Sequence, residues 1–441
     1  MYLHMESTFK NINITFSKRA FVSSTFSGSF DQMVPKSSEE AQELFSKAPQ
    51  SHPDSKLLKV AVIGVPNSGK STLINQLIGW KVCSVSQKVH TTQCSARAVF
   101  SQGLTQLVFV DTPGIVTPEE IKKHDLRTSL IIDPEKSLEQ SDLIVVMHDV
   151  SNSYTHKALH PRVLRILFLY PTIPSVLALN KVDIIKKKNV LLEITNNLTD
   201  GVVGETKIKV TSEAEISDEE LADTLIHSEI SKNTSKSSLN TNAPPESRNQ
   251  DNDAKTSLTD FEEESSRELS LDDVMSGKIK PTEKEVQELI KGRKGWPNFQ
   301  EVFMMSALDG TGVEELQNYL LKSAKKAPWI FNDDVVTDQS PQEIVLMTVR
   351  EKCLEYLKHN IPYELKFKLS YWDLSDSDVL SVLIGVYCKK KSHMKLMIGP
   401  GGKYAKRVAS EAEQDLRNIF RTEVRLRVNF EYNPLIENSD L

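Results

Sequence analysis

The sequence predicts an α/β chain in which a doubly wound, mainly parallel sheet is followed by a smaller α+β domain. Short apolar runs, typical of buried parallel strands, alternate with segments of helical periodicity through the first domain. A second set of helices and strands begins near Asp338, after that alternation has ended. No apolar run reaches the roughly 18 residues of a membrane-spanning helix, so no transmembrane segment is expected.

Each element follows from its local pattern. Residues 59–63 form an apolar run that ends at Gly64, and residues 71–78 have helical spacing that stops at Gly79. Further buried strands are predicted at 107–110, 143–147, 174–179 and 302–305, with a helix at 312–325. The second domain should open with a helix capped by Ser340 and Pro341. Strands at 363–371 and 380–390, a helix at 404–420 and a strand at 423–430 should follow.

Charge is distributed unevenly along the chain. Residues 211–273 hold 17 acidic and 5 basic residues, a net charge of −12, so the total of −6 leaves +6 for the remainder. Residues 231–266 are rich in polar residues and nearly free of large apolar ones, so burial cannot offset their ordering entropy. The alternation of strands and helices is expected to fail from about Lys186 to Lys280. Within it, we interpret the region at about 205–280 as a disordered acidic insertion, either a solvated linker or a docking segment for a basic partner.

The N-terminal composition bears on localisation. The first 36 residues hold four basic and two acidic side chains among many serines and threonines, which is typical of a mitochondrial transit peptide or of a disordered tail. The four cysteines show no CxxC pair and no metal-ligand spacing, and they are too few for a disulfide framework in a chain of this length, which favours a reducing compartment. We expect the mitochondrial matrix, with the cytoplasm as the alternative. The expected units are 1–56 (presequence and linker), 57–330 (first domain with the insertion), 331–432 (second domain) and 433–441 (tail).

A phosphate-binding loop follows the first predicted strand and opens a helix. The segment Gly64-Val-Pro-Asn-Ser-Gly-Lys-Ser71 has the spacing of a P-loop, whose backbone amides surround phosphates at a helix N-terminus. Lys70 should reach the β- and γ-phosphates, and Ser71 should bind Mg²⁺. The phosphate-binding set from this loop comprises Gly64, Asn67, Ser68, Gly69, Lys70, Ser71 and Thr72.

Two further segments should close on the metal and the γ-phosphate. Asp111-Thr-Pro-Gly114 follows a buried strand, so Asp111 can hold Mg²⁺ and the Gly114 amide can approach the γ-phosphate. Within residues 88–93, Thr92 is the expected metal-binding hydroxyl, with Thr91 as the alternative and His90 as an exposed neighbour. The catalytic group expected is therefore Lys70, Thr92 and Gly114.

The base-binding residues follow later strands. In Asn180-Lys-Val-Asp183, the Asp183 carboxylate can accept hydrogen bonds from guanine N1 and its exocyclic amine, a pair of donors that adenine lacks in that arrangement. Asn180 should support the loop and Lys181 should lie over the base. Ser306 and Ala307 follow the next strand, with the Ala307 amide expected on guanine O6. The predicted ligand is therefore GTP or GDP, although a nucleotide that only supports the structure is an alternative.

A glycine-rich turn in the second domain indicates RNA binding. Residues 399–402 have the GxxG spacing that brings backbone amides close to an RNA sugar-phosphate chain. Residues 389–407 carry seven basic side chains and no acid. Ile398 and Val408 could line a groove for bases or pack in the core. The predicted RNA-binding set is Lys395, Ile398, Gly399, Pro400, Gly401, Gly402, Lys403, Lys406 and Arg407.

These motifs together resemble the Era family of ribosome-assembly GTPases, over roughly residues 57–190 and 285–430. The resemblance rests on Asn67, the paired threonines, Asp111-Thr-Pro-Gly-Ile115, Asn180-Lys-Val-Asp183, Asp338-Gln-Ser, Arg350-Glu-Lys and Ile361-Pro-Tyr. With the candidate presequence, the chain looks most like the mitochondrial members of that family in animals. The 123-residue interval from Asp183 to Ser306 and the N-terminal extension depart from the bacterial pattern.

The resemblance implies a P-loop GTPase domain followed by a type II KH domain, acting as an RNA chaperone. It implies binding to the 3′ region of small-subunit ribosomal RNA during assembly of the mitochondrial small subunit, and it allows peripheral association with the inner membrane. It also implies slow hydrolysis, because Ile115 stands where many GTPases carry a glutamine, and a K⁺ ion held by Asn67, unless Asn67 is only a turn residue. A nucleotide-supported RNA-binding module with little turnover is the alternative. A related tRNA-modification GTPase is disfavoured because its C-terminal cysteine is missing.

Overall fold

A computed structural model describes residues 32–49, 51–85, 96–111, 138–204, 206–208, 271–278, 281–357, 361–375 and 377–434. The predicted presequence before residue 32, the switch threonines, Gly114, and residues 209–270 of the acidic insertion lie outside these ranges. Across the part of the chain that is described, no helix is both long enough and apolar enough to cross a membrane.

A central sheet organises the first domain. Its strands in chain order are β1 (Lys56–Gly64), β2 (Ala96–Gln102), β3 (Thr105–Asp111), β4 (Leu143–Asp149) and β5 (Ser175–Asn180), and after the small hairpin of β6 (Val202–Val203) and β7 (Thr206–Lys207) come β8 (Phe299–Met305) and β9 (Lys325–Lys326). The order across the sheet is β2-β3-β1-β4-β5-β8, and β9 pairs with β1. Strands β3, β1, β4, β5 and β8 are parallel, whereas β2 and β9 are antiparallel to their neighbours. The carboxyl ends of the five parallel strands therefore share one edge, where doubly wound sheets bind ligands.

Helices cover both faces of this sheet. They are α1 (Ser38–Ser46), α2 (Lys70–Ile78), α3 (Pro161–Leu169), α4 (Asn189–Leu198), α5 (Leu271–Met275), α6 (Glu283–Ile290) and α7 (Val313–Ser323). Leu73 of α2 and Leu316 of α7 lie in one buried cluster, and Leu164 of α3 and Ile194 of α4 lie in a second cluster on the opposite face. Burial of each such side chain contributes about 1.5–3 kcal/mol to folding. The helices packed on both faces therefore fix the position of the strand ends that form the ligand-binding edge.

The second domain packs helices on one face of a three-stranded sheet. Its elements are α8 (Pro341–Tyr356), β10 (Lys366–Leu374), β11 (Val379–Cys388), α9 (Lys391–Ile398), α10 (Lys403–Phe420) and β12 (Glu423–Tyr432). Ser340 and Glu343 form a capping box at the start of α8, as the sequence predicts. Strand β11 lies in the middle, antiparallel to β10 and parallel to β12. This is the arrangement expected for a type II KH domain.

The N-terminal extension contacts both domains. Leu44 of α1 is buried with Val99 and Val335, so the helix packs against β2 and the interdomain segment. The Met33 amide donates to the Asp334 carbonyl at 3.0 Å. On the other side, Lys36 forms an ion pair of 2.8 Å with Asp378 of the KH domain. The described part of the extension is therefore integrated into the fold.

Several elements differ from the sequence-based expectations. Helix α1 lies inside the region expected to be presequence and linker, and α4, β6, β7 and α5 lie where the alternation was expected to fail. The prediction was wrong for α4 because its apolar stripe is sufficient: Leu191, Ile194 and Leu198 are all buried. Strand β2 was also missed, since it is an edge strand with mixed polarity. The other predicted strands are present, and most are longer by a few residues.

Candidate nucleotide site and nucleic-acid interface

The P-loop runs from Gly64 at the end of β1 to Ser71, the second residue of α2. Lys70 is buried, and its Nζ donates to the carbonyl oxygens of Gly64 at 3.1 Å and Val65 at 3.2 Å. These contacts fold the ammonium group back over the loop, where a phosphate group would sit between it and the helix N-terminus. Ser71 and Thr72 follow in the first turn of α2, and both are partly exposed.

The close approach of Asn180 to the P-loop explains why position 69 is a glycine. A Cβ at Gly69 would lie 2.2 Å from Asn180 Nδ2, and Gly69 has φ of 100°, in the region that favours glycine. Asn180 Nδ2 donates to the Ser68 carbonyl at 2.7 Å, and Asn180 Oδ1 accepts from the Ala307 amide at 2.9 Å. The side chain of Asn180 therefore joins the phosphate-binding loop to the loop after β8.

The hydrogen bond between Asn180 and Ala307 differs from the role predicted for the Ala307 amide. From the sequence, the Ala307 amide is predicted to bind guanine O6, whereas in the structure that amide donates to Asn180 Oδ1. Two nearby hydroxyls, Ser68 Oγ and Ser306 Oγ, are buried and have no hydrogen-bond partner among the residues that the structure describes. Buried hydroxyls normally form hydrogen bonds, so these orphaned atoms fit a site that a polar ligand completes.

Lys181 and Asp183 lie at the same edge of the sheet. Lys181 has φ of 69°, and its Nζ pairs with Asp149 Oδ2 at 2.5 Å. Asp183 is exposed two residues later, available to a base. Burial alone would raise the pKa of Asp149, but hydrogen bonds from Lys181 and Ser151 outweigh it and hold that pKa below its ordinary value. Asp149 is therefore an anion that fixes the Lys181 side chain.

Asp149 is a site residue that was not predicted from the sequence. The signal was available, because Asp149 lies two residues beyond the predicted strand 143–147 and Asn180 directly follows the predicted strand 174–179. The two residues are register partners in the β4–β5 pair. Spacing along the chain does not reveal this pairing, because it depends on the order of strands in the sheet.

The remaining nucleotide-site residues are only partly described. Asp111 ends β3, opposite Val62 of β1, so its backbone lies at the ligand edge. Thr92 and Gly114 lie outside the described residues. Asn67, the predicted K⁺ ligand, is exposed at the turn of the P-loop with φ of 63°. The positions of Ser71 and Asp111 at one edge fit a divalent cation beside the phosphates.

The GxxG turn joins α9 to α10. Gly399, Gly401 and Gly402 have φ of 71°, 60° and 77°, so each backbone conformation favours glycine. A Cβ at Gly399 would lie 2.4 Å from the Tyr404 ring, which therefore packs tightly on the turn. Pro400 and Gly401 are exposed. The turn presents bare backbone to solvent, as binding to a sugar-phosphate chain requires.

The predicted RNA-binding side chains near the turn differ in their exposure and in their contacts. Lys395, Lys403 and Lys406 are exposed, whereas Ile398 is partly buried. Arg407 Nε donates to Glu411 Oε1 at 2.9 Å, and its guanidinium lies 4.4 Å from the centre of the Tyr356 ring. The charge of Arg407 is therefore partly compensated. Val408 is fully buried and packs in the core, so the groove alternative is wrong for it.

Comparison with known proteins supplies the family. The model of the "50S ribosome-binding GTPase" family matches residues 59–181. "GTPase Era, mitochondrial" from Salmo salar is 40% identical over 397 residues, covering 90% of this chain and 80% of the relative. The protein of the same name from Danio rerio is 40% identical over 401 residues, covering 90% of this chain and 81% of the relative. The chain belongs to the Era family. It is accordingly a GTPase with a P-loop domain and a C-terminal region consistent with a KH domain.

Solved Era structures have the same fold. The crystal structure of an Aquifex aeolicus Era variant bound to GDP·AlF₄⁻ matches with a TM-score of 0.55 at 22% identity, covering 86% of this chain and 95% of that one. An Era structure in complex with MgGDPNP and nucleotides 1506–1542 of 16S ribosomal RNA matches with a TM-score of 0.54 at 22% identity and the same coverage. Because each match covers 86% of this chain, the similarity in fold includes both domains.

In this Era-family chain the two domains meet directly after the P-loop helix. Trp80 Nε1 donates to the Ile419 carbonyl at 3.0 Å, and the Arg421 guanidinium lies 3.5 Å from the centre of the Trp80 ring. Lys81 Nζ contacts Glu351 Oε1 at 2.9 Å and Asp415 Oδ2 at 2.6 Å. We call Trp80, Lys81, Glu351, Asp415 and Arg421 the interdomain cluster.

Glu351 connects this cluster to the chain that enters the predicted switch. Its second carboxylate oxygen accepts from the Val85 amide at 2.9 Å, three residues before the predicted switch segment begins. The Glu351 side chain is only 4% exposed. Burial raises the pKa of Glu351, and the opposing effect of Lys81 does not cancel that rise. A buried carboxylate of the KH domain thus holds the segment that leaves the P-loop helix.

Proposed function

We propose that this GTPase is an RNA chaperone that binds the 3′ region of small-subunit ribosomal RNA and assists assembly of the mitochondrial small ribosomal subunit. The observation that carries the proposal is the interdomain cluster, which links the helix behind the P-loop to α8 and α10 of the KH domain. On one side of this contact, α2 begins in the P-loop, and on the other side, α10 begins directly after the GxxG turn. The two relatives named mitochondrial Era and the solved Era–16S RNA complex support the same assignment.

Each predicted nucleotide residue has a role in this proposal. Lys70 and the P-loop amides bind the phosphates, Gly69 leaves room for Asn180, and Asn180 holds the phosphate and base loops together. Asp183 accepts from the guanine ring, and Lys181 packs over it while paired with Asp149. Ser71, Thr92 and Asp111 are the residues that would hold Mg²⁺, which would neutralise charge on the β- and γ-phosphates. Gly114 would approach the γ-phosphate.

Nucleotide state would reach the KH domain through the backbone at Val85. GTP would order the switch residues around Thr92, and the segment before them is fixed to Glu351. A change in that segment therefore changes the environment of a buried carboxylate on α8. Because α8 packs against α10, which follows the GxxG turn, the RNA-binding surface responds to the nucleotide.

Potassium dependence is a separate part of the proposal. Asn67 is exposed in the P-loop turn and could hold K⁺ beside the phosphates, where a cation would stabilise developing charge. Single-turnover GTP hydrolysis should be faster in K⁺ than in Na⁺, and Asn67→Ala should remove the difference. Equal rates in both salts would assign Asn67 to the turn alone.

We further propose localisation in the mitochondrial matrix, with peripheral association with the inner membrane. The composition of the first 36 residues and the names of the relatives support the compartment. Fractionation of tagged protein from mitochondria tests both parts. Release from the membranes by high salt is expected, whereas recovery in the cytosol would overturn the compartment.

Crosslinking followed by sequencing of RNA bound to the tagged protein in its own cells tests the function. Enrichment at the 3′ end of mitochondrial small-subunit ribosomal RNA is expected. The matched control is the double variant Gly401→Asp and Gly402→Asp, which places carboxylates at the turn and strains two positive-φ residues, and should lose that enrichment. Enrichment on cytosolic RNA, or equal enrichment by the variant, would contradict the proposal.

A further inference from the structure

The KH sheet has a second face that the described helices do not cover. In β12, the alternate residues Val424 and Leu426 are buried, whereas Arg425 and Arg427 between them are exposed. Strand β10 shows the same alternation, with Phe367 buried and Lys368 exposed. Side chains that alternate along a strand point to opposite faces of the sheet. The exposed set therefore forms one surface, which we call the outer sheet face.

Strand register places specific side chains side by side on this face. Tyr371 of β10 pairs with Leu383 of β11, which pairs with Arg427 of β12. The adjacent row consists of Lys368, Gly385 and Asn429. These two central rows contain two cations and no acid. The acids of the face, Asp373, Glu423 and Glu431, stand in the rows beyond them.

An aromatic ring lies across the middle of this face. A Cβ at Gly385 would come within 2.5–2.7 Å of the Tyr387 hydroxyl and ring atoms. Because Gly385 has no side chain, the Tyr387 ring can lie over the backbone between Lys368 and Asn429. Tyr371 adds a second aromatic side chain, 52% exposed, one row away. The Tyr387 ring, lying over the Gly385 backbone, therefore forms a flat apolar surface on the solvent-facing side of the sheet.

Flat aromatic rings flanked by cations suit unpaired nucleotides. Every base has a π-face that can stack on an aromatic side chain, and lysine or arginine on either side can pair with the phosphates. The chain also leads from the KH sheet to the proposed GxxG site. Strand β11 ends at Cys388, and the exposed residues 389–391, all lysines, lead directly into α9 and the turn.

We propose that the outer sheet face is a second binding surface for single-stranded RNA. One base stacks on Tyr387 and a neighbouring base contacts Tyr371, while Lys368 and Arg427 bind the phosphates between them. This inference rests on the proposed RNA-binding function, and it extends the bound RNA beyond the nucleotides that the GxxG turn holds.

Fluorescence anisotropy with two RNA lengths tests the surface on the full chain. One labelled fragment of about four nucleotides matches the length that a GxxG loop clamps, and another of about 16 nucleotides can reach the sheet. Tyr387→Ala should weaken binding of the long fragment about 5- to 100-fold and leave the short fragment unchanged. Tyr387→Phe keeps the ring and should bind both fragments like the unmodified protein.

Two further measurements separate stacking from charge and from misfolding. The double variant Lys368→Ala and Arg427→Ala should reduce the slope of log K against log salt by about 1.4 for the long fragment, since each single-strand phosphate contact contributes about 0.7. Tyr154→Ala, which removes a tyrosine that is 92% exposed on the first domain, is the matched control and should change nothing.

The outcomes distinguish this inference from the function on which it rests. If the outer-face variants bind the long fragment normally while the Gly401→Asp and Gly402→Asp variant loses both fragments, the second surface is wrong and the proposed function stands. If the unmodified chain binds neither fragment, the proposed function itself fails. Photocrosslinks from Tyr387 in assembling particles that map to a protein rather than to RNA would also overturn the inference.

Discussion

Lys81 offers the sharpest test of the interdomain cluster. Lys81→Met retains most of the apolar stem but removes the ammonium group that contacts Glu351 at 2.9 Å and Asp415 at 2.6 Å. Glu351 then keeps the Val85 amide as a partner but loses Lys81, while Asp415 retains Lys352 at 2.9 Å. The unpaired charge therefore falls mainly on the buried Glu351 carboxylate.

The magnitude follows from burial. Breaking a buried ion pair costs about 3–5 kcal/mol, but the Lys81 side chain is 31% exposed and Asp415 is 20% exposed, so solvent compensates part of this loss. We expect the free energy of unfolding to fall by about 2 kcal/mol. Lys47→Met, which breaks an ion pair with side chains 50% and 73% exposed, is the control and should cost less than about 0.5 kcal/mol.

The loss of stability caused by Lys81→Met should depend on pH. The folded-state pKa of Glu351 is raised above 4.5, so its burial lowers stability once the pH exceeds that value. Lys81→Met raises the pKa further, so its deficit should be fully present at about pH 7.5. The deficit should shrink as the pH falls through the raised pKa and Glu351 is protonated in the folded state.

Urea unfolding followed by tryptophan fluorescence measures this effect, because Trp80 lies within the cluster. A double-mutant cycle with Glu351→Gln, which still accepts from the Val85 amide, should give a coupling energy of about 1–2 kcal/mol. A deficit that is independent of pH, or a coupling energy near zero, would refute the argument that a buried carboxylate depends on Lys81.

Three further predictions concern other parts of the molecule. Gly69→Ala should abolish binding in a titration with fluorescent GTP, because its Cβ would lie 2.2 Å from Asn180 Nδ2; unchanged affinity would refute the close approach. Asp183→Ala should weaken GTP binding about 10- to 100-fold and no longer distinguish GTP from ITP, which lacks the exocyclic amine; retained discrimination would remove Asp183 from the base site. Leu44→Ala should lower the free energy of urea unfolding by about 2–4 kcal/mol, and a loss below about 0.5 kcal/mol would show that α1 is not packed on Val99.

The predictable parts of the fold are those set by local pattern. The buried parallel strands are continuous apolar runs, and the P-loop, Asn180-Lys-Val-Asp183 and GxxG segments each have a fixed spacing beside a strand or helix. Capping residues likewise identified the start of α8. These features need no knowledge of distant residues.

The parts that could not be predicted depend on long-range contacts. Trp80 meets Ile419 across 339 positions of sequence, and Lys81 meets Asp415 across 334. No spacing rule connects such residues. Helix α1 was missed for the same reason, because a nine-residue helix is marginal alone and is stabilised here by the burial of Leu44.

RNA affinity measured as a function of nucleotide state tests whether the nucleotide site and the KH domain are coupled. The assay would titrate the full chain with a labelled fragment of the 3′ region of small-subunit ribosomal RNA, in the presence of a non-hydrolysable GTP analogue, GDP or no nucleotide. We expect the unmodified chain to bind RNA more tightly with the GTP analogue than with GDP, and Lys81→Met to show a smaller difference. Identical affinities in all three states would contradict coupling between the nucleotide site and the KH domain.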